Sequence, residues 1–230
     1  MKKSIIVVFC LVFTLLYPEA GTQVATKSTS LYGIGWFYIH HIVQMVLASG
    51  TIFLFVFLFN QKPLSKWGFN FNNHKWSVST ALKFAAGWLL ITVVLNLLFT
   101  FDNHITYEKN LLNISTDLFF DFVVTPFSEE ILFRGLIMGL LLIYLPSKLR
   151  TGKLTVSWAA IISTLLFSLA HIGIDYQNLT IDHIDAMQLA FTTGLGLFYA
   201  IMREKSGSLL GPVIAHGFSD GIITVVQLIL

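Results

Sequence analysis

A chain of 230 residues that is 55% hydrophobic and only 11% charged lies well below the roughly 25% charge of soluble domains, and cannot cover itself with polar surface in water. Its mean hydropathy of +0.76 agrees, and its one cysteine, Cys10, excludes an intramolecular disulfide and a cysteine-rich metal site. The net charge of +2 gives no reason to expect a nucleic-acid partner. What remains is an all-α, polytopic bundle of about six or seven transmembrane helices, in which each backbone polar group is satisfied inside its own helix.

The first hydrophobic run, 4–17, follows Lys2 and Lys3. It is short for a span and resembles the core of a signal peptide. Pro18, in Tyr17-Pro18-Glu19-Ala20, occupies a place where a cleavage site needs a small residue. A retained, short first helix is therefore expected, with an external linker completing residues 1–35. Runs at 36–59 and 79–101 are long enough to cross a bilayer and make residues 36–116 an N-terminal set of transmembrane helices. The 60–77 loop between them alternates Trp67, Phe69, Phe71 and Trp76 with polar residues, and is expected to lie along the membrane interface.

Four further runs, 118–145, 156–174, 186–202 and 208–230, fill residues 117–230. The first is overlong and charged, so a tilt or a break near Pro126 is expected. Basic loops (Lys2/Lys3, Lys62/Lys66/Lys75, Lys148/Arg150/Lys153, Arg203/Lys205) alternate with loops carrying Asp102, Glu108, Asp175, Asp182 and Asp185. The positive-inside rule then places the N-terminus and the basic loops in the cytoplasm. An integral protein of a bacterial plasma membrane is the expected setting, with lipid as its first partner.

Ionisable groups within spans are costly and usually functional, and here they gather in the C-terminal half. Glu130 and Arg134 are four apart, share a helix face and can pair. Glu129, about 100° away on an ideal helix, has no partner on its own helix. Phe167 and His171 are four apart, as are His216 and Asp220. A free carboxylate with two histidines, held away from lipid, can activate a water molecule. His40 and His41 are read as satisfied interhelical hydrogen-bonders, and Asp117 and Asp121 as solvated groups near the outer end of their span.

Glu129-Glu130-x-x-x-Arg134, Phe167-x-x-x-His171 and His216-x-x-x-Asp220, in that order on separate hydrophobic helices, resemble the CPBP family of CAAX-protease and bacteriocin-processing intramembrane proteases, also called the Abi family. The resemblance covers about residues 117–230, which it marks as a catalytic helical core. It implies a bundle of eight or fewer helices around a water-accessible cavity, and hydrolysis of a peptide bond in a membrane-associated peptide or prenylated protein. By motif position, Glu129 would activate the water with His171, while His216 and Asp220 would stabilise the oxyanion. Glu130, Arg134 and Phe167 would support the site.

Relatives commonly carry Asn where Asp220 stands. An ionised Asp cannot donate to an oxyanion, so Asp220 is either protonated, or holds His216 as the imidazolium that does, or binds a metal; the second reading is preferred, because an acid four residues from a His raises the His pKa. The family has been described as both glutamate-dependent and metal-dependent. A metal-free site is favoured here, and zinc becomes the better reading if Glu129, His171 and His216 converge on one centre with bonds of about 2.0–2.2 Å. His-Glu-x-x-His, Gly-x-Gly-Asp and Gly-x-Ser-Gly motifs are absent. The competing function is non-enzymatic: bacteriocin self-immunity or peptide binding. A proton-relaying transporter is a third class.

Overall fold

The computed structural model describes residues 3–28, 33–58, 63–99, 105, 108–151, 154–176, 178 and 180–230. Seven helices carry these residues: α1 (Lys3–Ser28), α2 (Ile34–Phe57), α3 (His74–Leu98), α4, α5 (Trp158–Leu169), α6 (Ala186–Ser206) and α7 (Leu210–Ile229). Helix α4 is composite, running through Leu111–Phe119, Phe120–Val124, Thr125–Glu130, Ile131–Ile137 and Met138–Tyr144, the second and fourth pieces being π-helical. Two short antiparallel hairpins interrupt the chain: β1 (Lys148–Thr151) with β2 (Leu154–Ser157), and β3 (Gly173–Asp175) with β4 (Thr180–His183). Four helices, α1, α2, α3 and α7, are long and apolar enough to cross a membrane. The all-α membrane bundle expected from composition is what forms, and the protein is an integral membrane protein.

The second half of α4 is the central helix. Leu132, Leu136, Ile137, Met138 and Leu141 are fully buried, so apart from Glu129, Glu130 and Arg134 it is apolar all round, as an interior helix tends to be. The helices around it bury one stripe and leave Phe57, Leu90, Leu97 and Leu98 exposed, at 66–69%. In water that surface would be a liability; in lipid it is the solvent-facing surface.

Pro126 does not break α4. It lacks an N–H, so the carbonyl four residues back, at Phe122, loses its helical donor. The surrounding turn widens into the π-segment Phe120–Val124, a known way of absorbing a register fault. Helix α7 packs on that point through Gly217, where an added Cβ would lie 2.4 Å from the Phe122 carbonyl oxygen. Only glycine permits so close an approach of two backbones. Gly217→Leu is expected to separate α7 from α4, carrying His216 and Asp220 away from Glu129. Overpacking typically costs about 1–3 kcal/mol, and a backbone obstacle puts this variant at the upper end. Thermal unfolding in detergent and activity should fall together; an unchanged midpoint would contradict the packing.

Other expectations need correction. The first helix is not short: it continues through Pro18 to Ser28. Trp67 does not lie along the interface but is fully buried against Gly139, whereas Phe69, Phe71 and Trp76 are exposed. The 156–174 run is helical only over Trp158–Leu169, with β2 before it and β3 after it. Asp121 is partly buried, with the Thr224 hydroxyl donating to it. Positions 2, 62, 102 and 153 of the charged segments lie outside the described residues.

The two ends of the bundle are tied separately. At one end Arg203 donates to the Lys66 carbonyl at 2.9 Å, Asn70 to the Gly207 carbonyl at 2.8 Å, and Lys148 pairs with Glu204 at 3.1 Å. Burial works against the Glu204 carboxylate. The Ser157 N–H and the Lys148 ammonium outweigh it and hold the group below its ordinary pKa. At the other end Trp36 donates to Thr26 and Tyr38 to the Thr116 carbonyl.

Candidate active site

Each polar residue of the three motifs sits where its helix turns inward. Glu129 and Glu130 close the α-helical piece of α4 between its two π-segments. His171 follows the end of α5, where its Nδ1 lies 2.8 Å from the Phe167 carbonyl oxygen. A carbonyl only accepts, so Nδ1 carries the proton and Nε2 of the neutral ring is left with its lone pair. His216 and Asp220 are one turn apart on α7.

His216 is the hub. Its Nδ1 lies 2.8 Å from Glu130 Oε1, its Nε2 lies 3.2 Å from Asp220 Oδ2, and Glu129 Oε2 stands 3.6 Å from the same Nε2. With carboxylates at both ring nitrogens, each contact is satisfied only if both nitrogens donate. Tyr199 stacks on the imidazole, ring centroids 4.9 Å apart at 16°. The Tyr199 hydroxyl meets Ser219 at 2.6 Å, and Ser219 donates to the His216 carbonyl and to Asp220.

Behind the hub Arg134 donates to Glu130 Oε1 at 2.9 Å and to the Gly196 carbonyl at 2.9 Å; both ionic side chains are fully buried. The guanidinium lies over the Phe167 ring at 4.3 Å, a cation–π contact. An added Cβ at Gly196 would stand 2.9 Å from the Phe167 ring and 3.2 Å from Arg134, so the small residue gives the guanidinium its acceptor. Glu130, Arg134, Phe167 and His216 thus form one buried, cross-linked support. The Glu130–Arg134 pairing read from spacing is present; its third member, His216, was not legible in one helix's periodicity.

Glu129 and Asp220 are the carboxylates that reach open space, with side chains 14% and 30% exposed. Glu129, His171, His216 and Asp220 line one cavity of about 120 Å³, with Thr125, Thr192 and Tyr199. Glu129 and His171 also form a wall of a second cavity, of about 310 Å³, reaching to His40, His41 and Gln44 on α2 and Tyr176 beyond α5. They stand where the two spaces meet. A larger groove along α3 beside Lys75 and Lys83 shares no residue with this site.

His41 was read as a satisfied hydrogen-bonder, and it is not one. It is 8% exposed, lines the larger cavity, and its Nδ1 has no partner among the described residues. His40 does pair, its Nδ1 3.3 Å from Thr22 Oγ1. Thr125 was missed altogether. Its hydroxyl is buried without a partner among the described residues and lines the cavity one helical turn before Glu129. The i, i+4 spacing was available in the sequence; what hid Thr125 is that threonines within spans usually bond to their own backbone.

For a metal, the donors compare poorly with need. Among the described residues no group of three or more His, Cys, Asp and Glu side chains is arranged to hold an ion. His216 spends both ring nitrogens on carboxylates, so an ion here would have to draw its three usual protein ligands from Glu129, His171 and Asp220, which line the same cavity.

The family model described as "Type II CAAX prenyl endopeptidase Rce1-like" matches residues 111–222. Among curated proteins, the "Uncharacterized 24.3 kDa protein" of Escherichia coli is 32% identical over 110 residues, covering 47% of this chain and 43% of that protein. "CAAX prenyl protease 2" of Arabidopsis thaliana is 28% identical over 109 residues, covering 44% of this chain and 32% of its own length. The chain thus spans less than half the length of either relative. No solved structure matches. The matched residues hold all three polar motifs and their support, so over 111–222 the chain is similar to the Rce1-like type II CAAX prenyl endopeptidases, in line with the resemblance carried by those motifs.

Proposed function

We propose that the protein is a membrane-embedded endopeptidase that hydrolyses a peptide bond of a membrane-associated peptide or protein. The observation that carries this reading is the position of Glu129 and His171 at the junction of two cavities, backed by a fully buried Glu130–Arg134–His216 support. Glu129 is the general base. It takes one proton from a water held between its carboxylate and His171 Nε2, and the oxygen attacks the scissile carbonyl carbon. The charge that develops on the carbonyl oxygen falls near His216 Nε2, whose contacts to Asp220 and Glu129, at 3.2 and 3.6 Å, are long enough to be exchanged for an oxyanion. Glu129 then delivers its proton to the departing amine, and the C–N bond breaks to give a carboxylate and an amine.

Asp220 serves by keeping His216 cationic, which accounts for an acid at a position where relatives commonly carry Asn. The donor set supports the metal-free form of this chemistry, so activity is expected to survive chelators. By the alternation of loop charge, the N-terminus and basic loops lie in the cytoplasm. The test compares the membrane peptidomes of cells carrying the native protein and its Glu129→Gln variant at equal level. New peptide termini that depend on Glu129 are expected; identical peptidomes would favour a peptide-binding or self-immunity protein.

A further inference from the structure

The larger cavity extends from Glu129 and His171 toward one end of the bundle, where the chain beyond α5 lines it. Helix α5 has 12 residues, about 18 Å of helix, against a hydrocarbon core of about 30 Å. It starts beside the basic hairpin at Lys148 and stops short, leaving His171 at mid-depth. The chain beyond it, including β3 and Tyr176, forms a wall of the 310 Å³ cavity. Irregular backbone at such depth is tolerated where it lines a cavity rather than lipid. From Pro18, Glu19 and Gln44 near the middles of α1 and α2 and Glu129 and Phe133 on α4, the walls run out to Thr22, in the last third of α1, and to His40 and His41, in the first third of α2. Both thirds lie at the end where Trp36 meets Thr26 and Tyr38 meets Thr116.

The opposite end is closed by packing. Arg203 bonds to Lys66, Asn70 to Gly207 and Lys148 to Glu204 there, and Lys75, Arg150 and Lys205 sit at the same end, in the first turn of α3, in β1 and in the last turn of α6. The open end carries Asp182 and Asp185, with no Lys or Arg between residues 154 and 185, and its basic residues among those described are Lys27 and Lys109, against Lys66, Lys75, Lys148, Arg150, Arg203 and Lys205 at the other. The asymmetry of basic residues, which orients membrane proteins with their Lys and Arg in the cytoplasm, therefore coincides with the asymmetry of access.

We propose that the site is entered from the extracytoplasmic face, and that its substrate is a peptide segment displayed at the outer leaflet rather than a cytosolic prenylated C-terminus. The substrate half rests on the endopeptidase reading; the open face does not. The sidedness test uses a Cys10→Ala background, Cys10 being the only cysteine. Single cysteines are placed by Ile181→Cys or Tyr176→Cys on the open side and by Lys148→Cys on the basic side, and intact cells receive a membrane-impermeant maleimide. Ile181, 62% exposed, serves if loss of the Tyr176 hydrogen bond to the Leu15 carbonyl disturbs folding. Labelling of the Ile181→Cys and Tyr176→Cys variants in intact cells, with Lys148→Cys labelled only after permeabilisation, is the expected result; the reverse pattern overturns the proposal.

The substrate half is read with sealed vesicles of both orientations and a charged, impermeant peptide spanning a Glu129-dependent terminus. Cleavage confined to right-side-out vesicles is expected, with inside-out vesicles active only after detergent. Cleavage confined to inside-out vesicles overturns the proposal and leaves the endopeptidase reading standing. Cleavage in neither, with or without detergent, overturns that reading and the substrate assignment with it, while the labelling still reports the open face.

Discussion

Purified Glu129→Gln protein is expected to lose about 10²–10⁴-fold in turnover, the range a positioned general base contributes, with no loss of fold. The two effects separate because Glu129 takes no part in the buried support. Its nearest cation is His216 Nε2 at 3.6 Å, whereas Glu130 holds that ring at 2.8 Å. Glutamine keeps the shape and removes both the proton acceptor and the cost of holding a second carboxylate next to Glu130. The unfolding midpoint should stay level or rise, as when a strained catalytic group is neutralised. Turnover within a few-fold of native, at equal folded protein, would remove Glu129 as the base.

Glu130→Ala is expected to behave in the opposite way, losing stability first and activity as a consequence. The substitution strands Arg134, which is fully buried and left with the Gly196 carbonyl and the faces of Phe167 and Tyr199. Breaking one side of a buried pair costs about 3–5 kcal/mol, and here the same oxygen also holds His216 Nδ1. Glu130→Gln keeps an acceptor but not the charge and should fall between. Chemical or thermal unfolding in one detergent, for both variants beside the native protein, checks this order. Alanine that unfolds like native protein would show that Arg134 finds another counter-charge.

Reading the chain without its fold revealed the helices because lipid demands long apolar runs, and revealed the polar face because i, i+4 spacing is local. Glu130 with Arg134, and His216 with Asp220, follow from that rule alone. Convergence between helices is not local. Nothing in α2 shows that His41 faces Glu129 across a cavity, and nothing in α7 shows that His216 completes the Glu130–Arg134 pair. Trp67 was misplaced for a related reason. Alternating aromatic and polar residues suit an interface, but Gly139 on α4 provides a slot that outcompetes it. The hairpins were hidden because α5 and its flanks form one apolar run, and only packing shows that the helix ends at Leu169. A tilt or a break was expected near Pro126, and the π-segment beside it absorbs the fault, with Gly217 bringing α7 against the freed carbonyl.

The central claim is that a water activated by Glu129 cleaves a peptide bond. It is tested most directly by incubating purified protein, in lipid nanodiscs and H₂¹⁸O, with a membrane peptide that carries a Glu129-dependent terminus. The account predicts one ¹⁸O in the newly formed carboxylate, undiminished by a zinc chelator and absent with the Glu129→Gln variant. No new carboxylate, or equal incorporation by native and Glu129→Gln protein, would contradict it.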